Sequence, residues 1–285
     1  METPFYQVDV FSDELFGGNP LAVFLRGEDF KEAQFQQVAR EMNLSETTFV
    51  LPSSHPDADF DVRIFTPEKE IPFAGHPTLG TAFVLRHAGL VSETQDHIRL
   101  NFKVGVIPVH LQEDGKIFMT QPPGKILQTF SNTEEIAQAL GLTGNNIDLP
   151  VQTASTGFPA LLVPINSLRA MQRIVLNLSL LKVLLEESGV DMIYPFTRQT
   201  LDQKSSVHAR GFAPFVGIPE DPATGSVAGA LGYYLKDKDP KEENVIIEQG
   251  YEMQRPGLIF VRMDGTKIQV GGKTRMVFKA SLYLE

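Results

Sequence analysis

The chain has no cysteine at all. That excludes thiol nucleophiles, two-thiol acid/base pairs and thiolate metal sites. An absence of cysteine also accords with a cytoplasmic protein, the expected location. Basic residues are outnumbered, 25 Lys and Arg against 35 Asp and Glu, giving a net charge of −10. A nucleic-acid surface needs a basic stripe, so no nucleic-acid partner is expected. No run of 18 or more apolar residues occurs, and Met1-Glu2-Thr3-Pro4 opens neither a basic nor an apolar leader. Neither a membrane span nor a signal peptide is therefore expected. Missing too are a phosphate-binding loop, a dinucleotide fingerprint after a strand and a His-Glu-x-x-His pair. No cofactor or metal is expected. Gly17-Gly18-Asn19 is too short to be such a fingerprint and lies in a hairpin.

What is present is a repeat. Arg63-x-Phe65-x-Pro67 followed by Ile71-Pro72 returns as Arg210-x-Phe212-x-Pro214 followed by Ile218-Pro219, at a constant offset of 147 residues. Gly18-Asn19-Pro20-Leu21-Ala22-Val23 is echoed by Gly157-Phe158-Pro159-Ala160-Leu161-Leu162-Val163, and Asp114-Gly115-Lys116-Ile117 by Asp264-Gly265-Thr266-Lys267-Ile268. Three pairs in one order, present only twice, indicate a duplicated domain rather than a solenoid. With 42% hydrophobic and 21% charged residues, 285 residues suffice for two lobes of about 140, each with its own core. The expected lobes are 1–124 and 125–274, joined near Pro122-Pro123-Gly124. A last strand, about 275–285, is free to return to the first lobe.

Hydrophobic periodicity predicts mostly strands, with helices over Phe30–Met42, Thr78–His87, Leu178–Glu187 and Ser226–Leu235 and a capped helix from Asn132 to Gly141. Val207–Phe212 reads as one strand. Each lobe then wraps strands around one Gly/Ala-rich central helix, an α+β architecture. In both copies the Ile-Pro pair leads through a short loop into that helix. If the copies face each other, two helix N-termini flank one cleft, an anion site suited to a carboxylate.

Candidate chemistry clusters at those loops. Glu46 stands at the mouth of an apolar β-run. It reads either as a solvated strand end or as a cleft carboxylate whose raised pKa suits taking and returning a proton. His76 is either a backbone-bonded helix-start residue or a substrate contact. Asp221 or Thr224 is a candidate cap for the helix from Ser226. Arg63 and Arg210 recur on strands and read as scaffold, and the other histidines as surface or structural.

These strings together resemble the PhzF-like isomerase family of phenazine biosynthesis. The likeness is carried by Gly18–Val23, Ser45-Glu46-Thr47, Phe73-Ala74-Gly75-His76-Pro77-Thr78-Leu79-Gly80-Thr81-Ala82, Arg210-Gly211-Phe212-Ala213-Pro214 and Glu220-Asp221-Pro222-Ala223-Thr224-Gly225-Ser226. It runs over essentially the whole chain. The resemblance implies the diaminopimelate-epimerase-like fold, two pseudo-symmetric lobes each curled around a central α-helix. It implies no cofactor and often a homodimer. Diaminopimelate epimerase carries a cysteine at each central-helix start, whereas this chain has Gly75 and the Asp221-Pro222 region there. In the family a glutamate matching Glu46 moves the proton. The residues matching His76, Asp221 and Ser226, with the Gly75 and Gly225 amides, hold the substrate. Asn19 and Thr224 lie in the same strings and join that binding set. The resulting expectation is a cofactor-independent isomerase of a small carboxylate, with Glu46 as acid and base. An epimerase of an amino-acid-like compound and a non-catalytic carboxylate-binding protein are the alternatives.

Overall fold

The computed structural model describes residues 2–148 and 150–284. The chain forms two compact units. One runs to Thr120 and resumes from Gly271, and the other is Gln121–Val270.

The first unit contains β1 (Glu2–Val10), β2 (Asn19–Phe24), α1 (Glu32–Met42), β3 (Glu46–Pro52), β4 (Phe60–Phe65) and β5 (Glu70–Ile71). They are followed by α2 (Gly75–His87), β6 (His97–Phe102), β7 (Gly105–Leu111) and β8 (Ile117–Gln121). The second contains β9 (Lys125–Phe130), α3 (Thr133–Ala139), β10 (Val151–Ser155), β11 (Pro159–Pro164), α4 (Leu168–Gln172), α5 (Leu178–Ser188) and β12 (Ile193–Thr197). After these come β13 (Val207–Ala209), β14 (Gly211–Ala213), β15 (Ile218–Asp221), α6 (Gly225–Lys238), β16 (Asn244–Gln249), β17 (Gly257–Asp264) and β18 (Lys267–Gly272). The last strand, β19 (Thr274–Tyr283), pairs antiparallel with β1.

The duplication is visible in the pairing pattern. In the first unit β1–β2 is antiparallel, β2–β3 parallel, β3–β4 antiparallel, β4–β6 parallel and β6–β7 antiparallel. In the second the same alternation runs β10–β11, β11–β12, β12–β13, β13–β16 and β16–β17. The second parallel step of each unit is bridged by its central helix, α2 or α6, as parallel strands require a crossover. Both helices are buried nearly all round, which explains why neither shows an amphipathic stripe. Small residues let strands approach them. A Cβ at Gly80 would lie 2.6 Å from Leu21 Cδ2 and 2.9 Å from Val10 Cγ2. On the far side of the first sheet, α1 covers a core of Phe5, Phe24, Phe30, Phe35, Phe49 and Phe65.

The repeated arginines do the same job twice. Arg63 donates through Nε and Nη2 to the two carboxylate oxygens of Glu70, and Arg210 makes the same bidentate pair with Glu220. Each guanidinium also lies over the phenylalanine two residues on, 5.0 Å from the Phe65 ring and 4.8 Å from that of Phe212.

Several boundaries differ from the sequence reading. The central helices begin at Gly75 and Gly225, and the first includes Pro77, whose missing N–H costs nothing in a first turn. Val207–Phe212 is two strands. The Arg210 N–H turns away to the Pro195 carbonyl, after which β14 pairs with β15. Strands β5, β9 and β15 and helix α4 carry too few residues or too little periodicity to be read from sequence. Among the described residues no helix is long and apolar enough to cross a membrane.

Candidate active site

In the first unit the site is built by strand alternation. Successive side chains of β3 point to opposite faces. Phe49 joins the α1-side core, which puts Thr47 on that face too. Glu46 and Thr48 therefore face α2. Thr48 bonds Thr81 of α2 at 2.9 Å, and Glu46 Oε2 lies 3.2 Å from His76 Nε2. Both partners are buried, 7% and 5% exposed. Burial pushes the His76 imidazole down to about 3, so it is neutral at physiological pH. A carboxylate beside a neutral imidazole keeps more of its basicity than one paired with an imidazolium. This arrangement suits a group that must accept a proton from carbon.

Asn19 opens β2 and is fully buried. It follows Gly18, whose φ of +53° and contact with the Val10 carbonyl oxygen (2.1 Å from a built Cβ) admit only glycine. Asn19 shares its strand face with Leu21, which packs on Gly80 of α2. Asn19, Glu46, Gly75 and His76 thus belong to one unit and to the side of its sheet that meets α2.

The second unit contributes Asp221, Thr224, Gly225 and Ser226. Asp221 ends β15, and all but the half-buried Ser226 are buried. Thr224 occupies the N-cap position of α6, yet its side chain does not cap the helix. Its hydroxyl donates instead to Asp221 Oδ2 at 2.6 Å, so the expected side-chain cap by Thr224 is replaced by a hydrogen bond inside the loop. Neither central helix takes a side-chain cap. The peripheral helices α3, α4 and α5 are capped by Asn132, Ser167 and Asn177. In α6 the Val227 N–H goes to the Thr224 carbonyl instead.

Three residues here were not singled out from the sequence. Gln249 hydrogen-bonds the Asp221–Thr224 loop and accepts from the Tyr194 hydroxyl, and Gln121 donates to the Gly225 carbonyl at 2.9 Å. A lone glutamine or tyrosine in an apolar strand has no spacing that would flag it. His208, read as surface or structural, is fully buried between Glu248 (2.8 Å) and Glu252 (3.0 Å).

The family model described as phenazine biosynthesis-like protein matches residues 8–280. A trans-2,3-dihydro-3-hydroxyanthranilate isomerase from Pseudomonas aeruginosa is 34% identical, covering 97% of this chain and 98% of its own length. An uncharacterized isomerase from Bacillus subtilis is 31% identical over 96% and 94%. Among solved structures, the PhzF-family protein of Bacillus anthracis superposes with a TM-score of 0.90 at 29% identity, covering all of both chains. A hydroxyproline epimerase from Agrobacterium vitis, at 10% identity and a TM-score of 0.66 over 99% and 92%, shares the fold alone. The α+β fold built around two central helices is thus that of this wider group, and the chain belongs to the phenazine biosynthesis-like family as one of its isomerases.

Proposed function

We propose that the protein isomerises a small carboxylate by moving one proton between carbons, with Glu46 as the group that removes and returns it. The observation that carries this reading is the buried Glu46–His76 contact at the start of α2, with the imidazole held neutral. The His76 ring packs against the carboxylate, with Nε2 3.2 Å from Oε2. Glu46 accepts the proton from an activated carbon as the C–H pair moves into an enolate-like system. It then protonates the far carbon of that system, so no net charge or redox change accumulates. Developing negative charge is met by the first-turn amides of α2 from Gly75 on, the kind of preorganised donor that lowers such barriers. Asp221, Thr224 and Ser226, with Asn19, are assigned to holding the substrate's polar groups. Their assignment to the same substrate as Glu46 rests on the sequence repeat.

The substrate named for the Pseudomonas relative, trans-2,3-dihydro-3-hydroxyanthranilate, is the first compound to test. Proton NMR in D2O would follow both its conversion and the position of any incorporated label. The reading requires turnover of this or another small carboxylate by the wild type, and its loss in Glu46→Gln with ligand binding kept. Retained turnover by Glu46→Gln on the true substrate overturns it. Binding without turnover across a broad carboxylate panel would instead favour a binding protein.

A further inference from the structure

We propose that Gln249 is the positioning residue of the second unit's substrate loop, and that Tyr194, Gln249 and Thr224 form a one-way hydrogen-bond chain that holds Asp221 Oδ2 as an acceptor. The proposal rests on the reading above that Asp221 and Thr224 hold substrate.

Gln249 ends β16 and is fully buried. Its Oε1 accepts from the Tyr194 hydroxyl at 2.7 Å and from the Thr224 N–H at 3.1 Å. Its Nε2 donates to the Asp221 carbonyl at 2.6 Å and to Thr224 Oγ1 at 2.9 Å. Both lone pairs and both hydrogens of the amide are therefore used. Two of the four partners are backbone groups with no choice of role. The Thr224 N–H donates only and the Asp221 carbonyl accepts only, so a flipped amide would set donor against donor and acceptor against acceptor.

That fixed orientation propagates. Because Nε2 donates to Thr224 Oγ1, the single hydroxyl hydrogen of Thr224 goes to its other close partner, Asp221 Oδ2, at 2.6 Å. Oδ2 is thus committed as an acceptor, and any proton the carboxyl takes up resides on Oδ1. Tyr194 feeds the chain from the far end. Its phenol is fully buried, and burial together with the Asp221 charge pushes its ionisation upward, so it stays a donor.

The backbone around the chain leaves no slack. Gly211, opposite Asp221 in the β14–β15 register, would bring a Cβ within 2.7 Å of Thr224 Oγ1 and 3.2 Å of Gln249 Nε2. Gly250, at φ +84°, would bring one within 2.5 Å of the Pro222 carbonyl oxygen. Glutamate at position 249 keeps the reach and the acceptor half but has no hydrogen for Asp221 O or Thr224 Oγ1. Asparagine is one methylene short.

The test combines amide hydrogen exchange without ligand and a double-mutant cycle with it. In Gln249→Glu, exchange over residues 223–226 should rise at least tenfold while the β16–β17 pairing keeps its wild-type protection. Tyr194→Phe, which removes one hydroxyl and keeps the ring, should raise it about threefold and serves if Gln249→Glu fails to fold. Gln249→Glu should lower kcat/KM at least tenfold in the wild-type background and less than twofold in Asp221→Asn. Unchanged exchange, a rise spread evenly over the second unit, or full additivity with Asp221→Asn overturns the proposal. Failure of the proton-transfer reading would appear elsewhere, as turnover retained by Glu46→Gln, and would leave the exchange result standing.

Discussion

Two buried histidines should give the two units opposite responses to pH. Burial holds His76 down to about 3, against an ordinary value near 6.5, so the unfolded chain binds the extra proton and the native unit does not. Stability of the first unit is then fully present above pH 6.5 and falls on acidification, by about 1.4 kcal/mol for each pH unit in the window. In the second unit burial also opposes charging of His208, but hydrogen bonds from its ring to Glu248 and Glu252 outweigh it and push the group up to about 9. Glu248 also accepts the Leu201 and Asp202 N–H groups, and both carboxylates stay below the ordinary value despite burial. Here the native state holds the proton longer. The His208 contribution is complete below pH 6.5 and is lost as pH rises to 9, about 3 kcal/mol over the window. Pulse proteolysis in urea, with fragments assigned to each unit by mass, measures both at pH 4.5, 6.5 and 9. Relative to wild type, His76→Gln should gain stability in the first unit toward acid. The deficit of His208→Gln in the second should shrink toward alkali. Differences that stay constant across pH would refute the reasoning.

The repeated arginines should differ in worth despite identical geometry. Arg210 is buried and also donates to the Met171 carbonyl, so Arg210→Met should destabilise by about 1–3 kcal/mol by leaving that buried carbonyl without its donor. Arg63 is half-buried, and its second partner, Glu32, is largely exposed, so Arg63→Met should cost about 1 kcal/mol in urea melts. Gly80→Ala should cost about 1–3 kcal/mol, because the new methyl must displace Leu21 and Val10. Glu46→Gln should lower turnover by about 10²–10⁴ with ligand affinity within a few-fold. Asp221→Asn should weaken binding and rate together, and steady-state kinetics separates the two.

Much of the scaffold was legible because it is repeated. Arg63 and Arg210 with their phenylalanines and the Ile-Pro pairs could be matched at one offset, with a Gly/Ala-rich helix following each, and the structure gives each the same role in its own unit. The region around Glu46 was legible as a strand start, since Thr47–Leu51 is β-prone and the side-chain period of two is strict. The polar wiring was not. Gln249 acts through four hydrogen bonds to groups 25 to 55 residues away, and nothing in a local window distinguishes it from any other strand residue. The break at Arg210 has no local signal for a similar reason, being set by which neighbour its backbone meets rather than by its own preferences. Thr224 has the residue type and position of a cap, but its Oγ1 is turned into the loop, where it accepts from Gln249 Nε2 and donates to Asp221 Oδ2.

The registers carry the comparison of the two units one step further. In the first parallel pair of each unit, Leu21 lies opposite Glu46 and Val23 opposite Thr48, while Leu161 lies opposite Ile193 and Leu162 opposite Tyr194. Aligning the repeat through Gly18-Asn19-Pro20-Leu21 and Gly157-Phe158-Pro159-Ala160 sets Thr48 against Tyr194, and Glu46 against Met192. Thr48 and Tyr194 both make a polar bond on the side of the central helix, to Thr81 directly and to the Thr224 loop through Gln249. Met192 is buried and apolar. The duplication has thus kept the strand position that steadies each helix and retained a titratable group in only one copy of the position beside it. A pair of matched bases, one from each copy, would suit proton exchange between the two faces of one carbon. A carboxylate at this position in one copy only accords with the proposed removal and return of the proton by Glu46 alone, Asp221 of the other copy being assigned to holding the substrate.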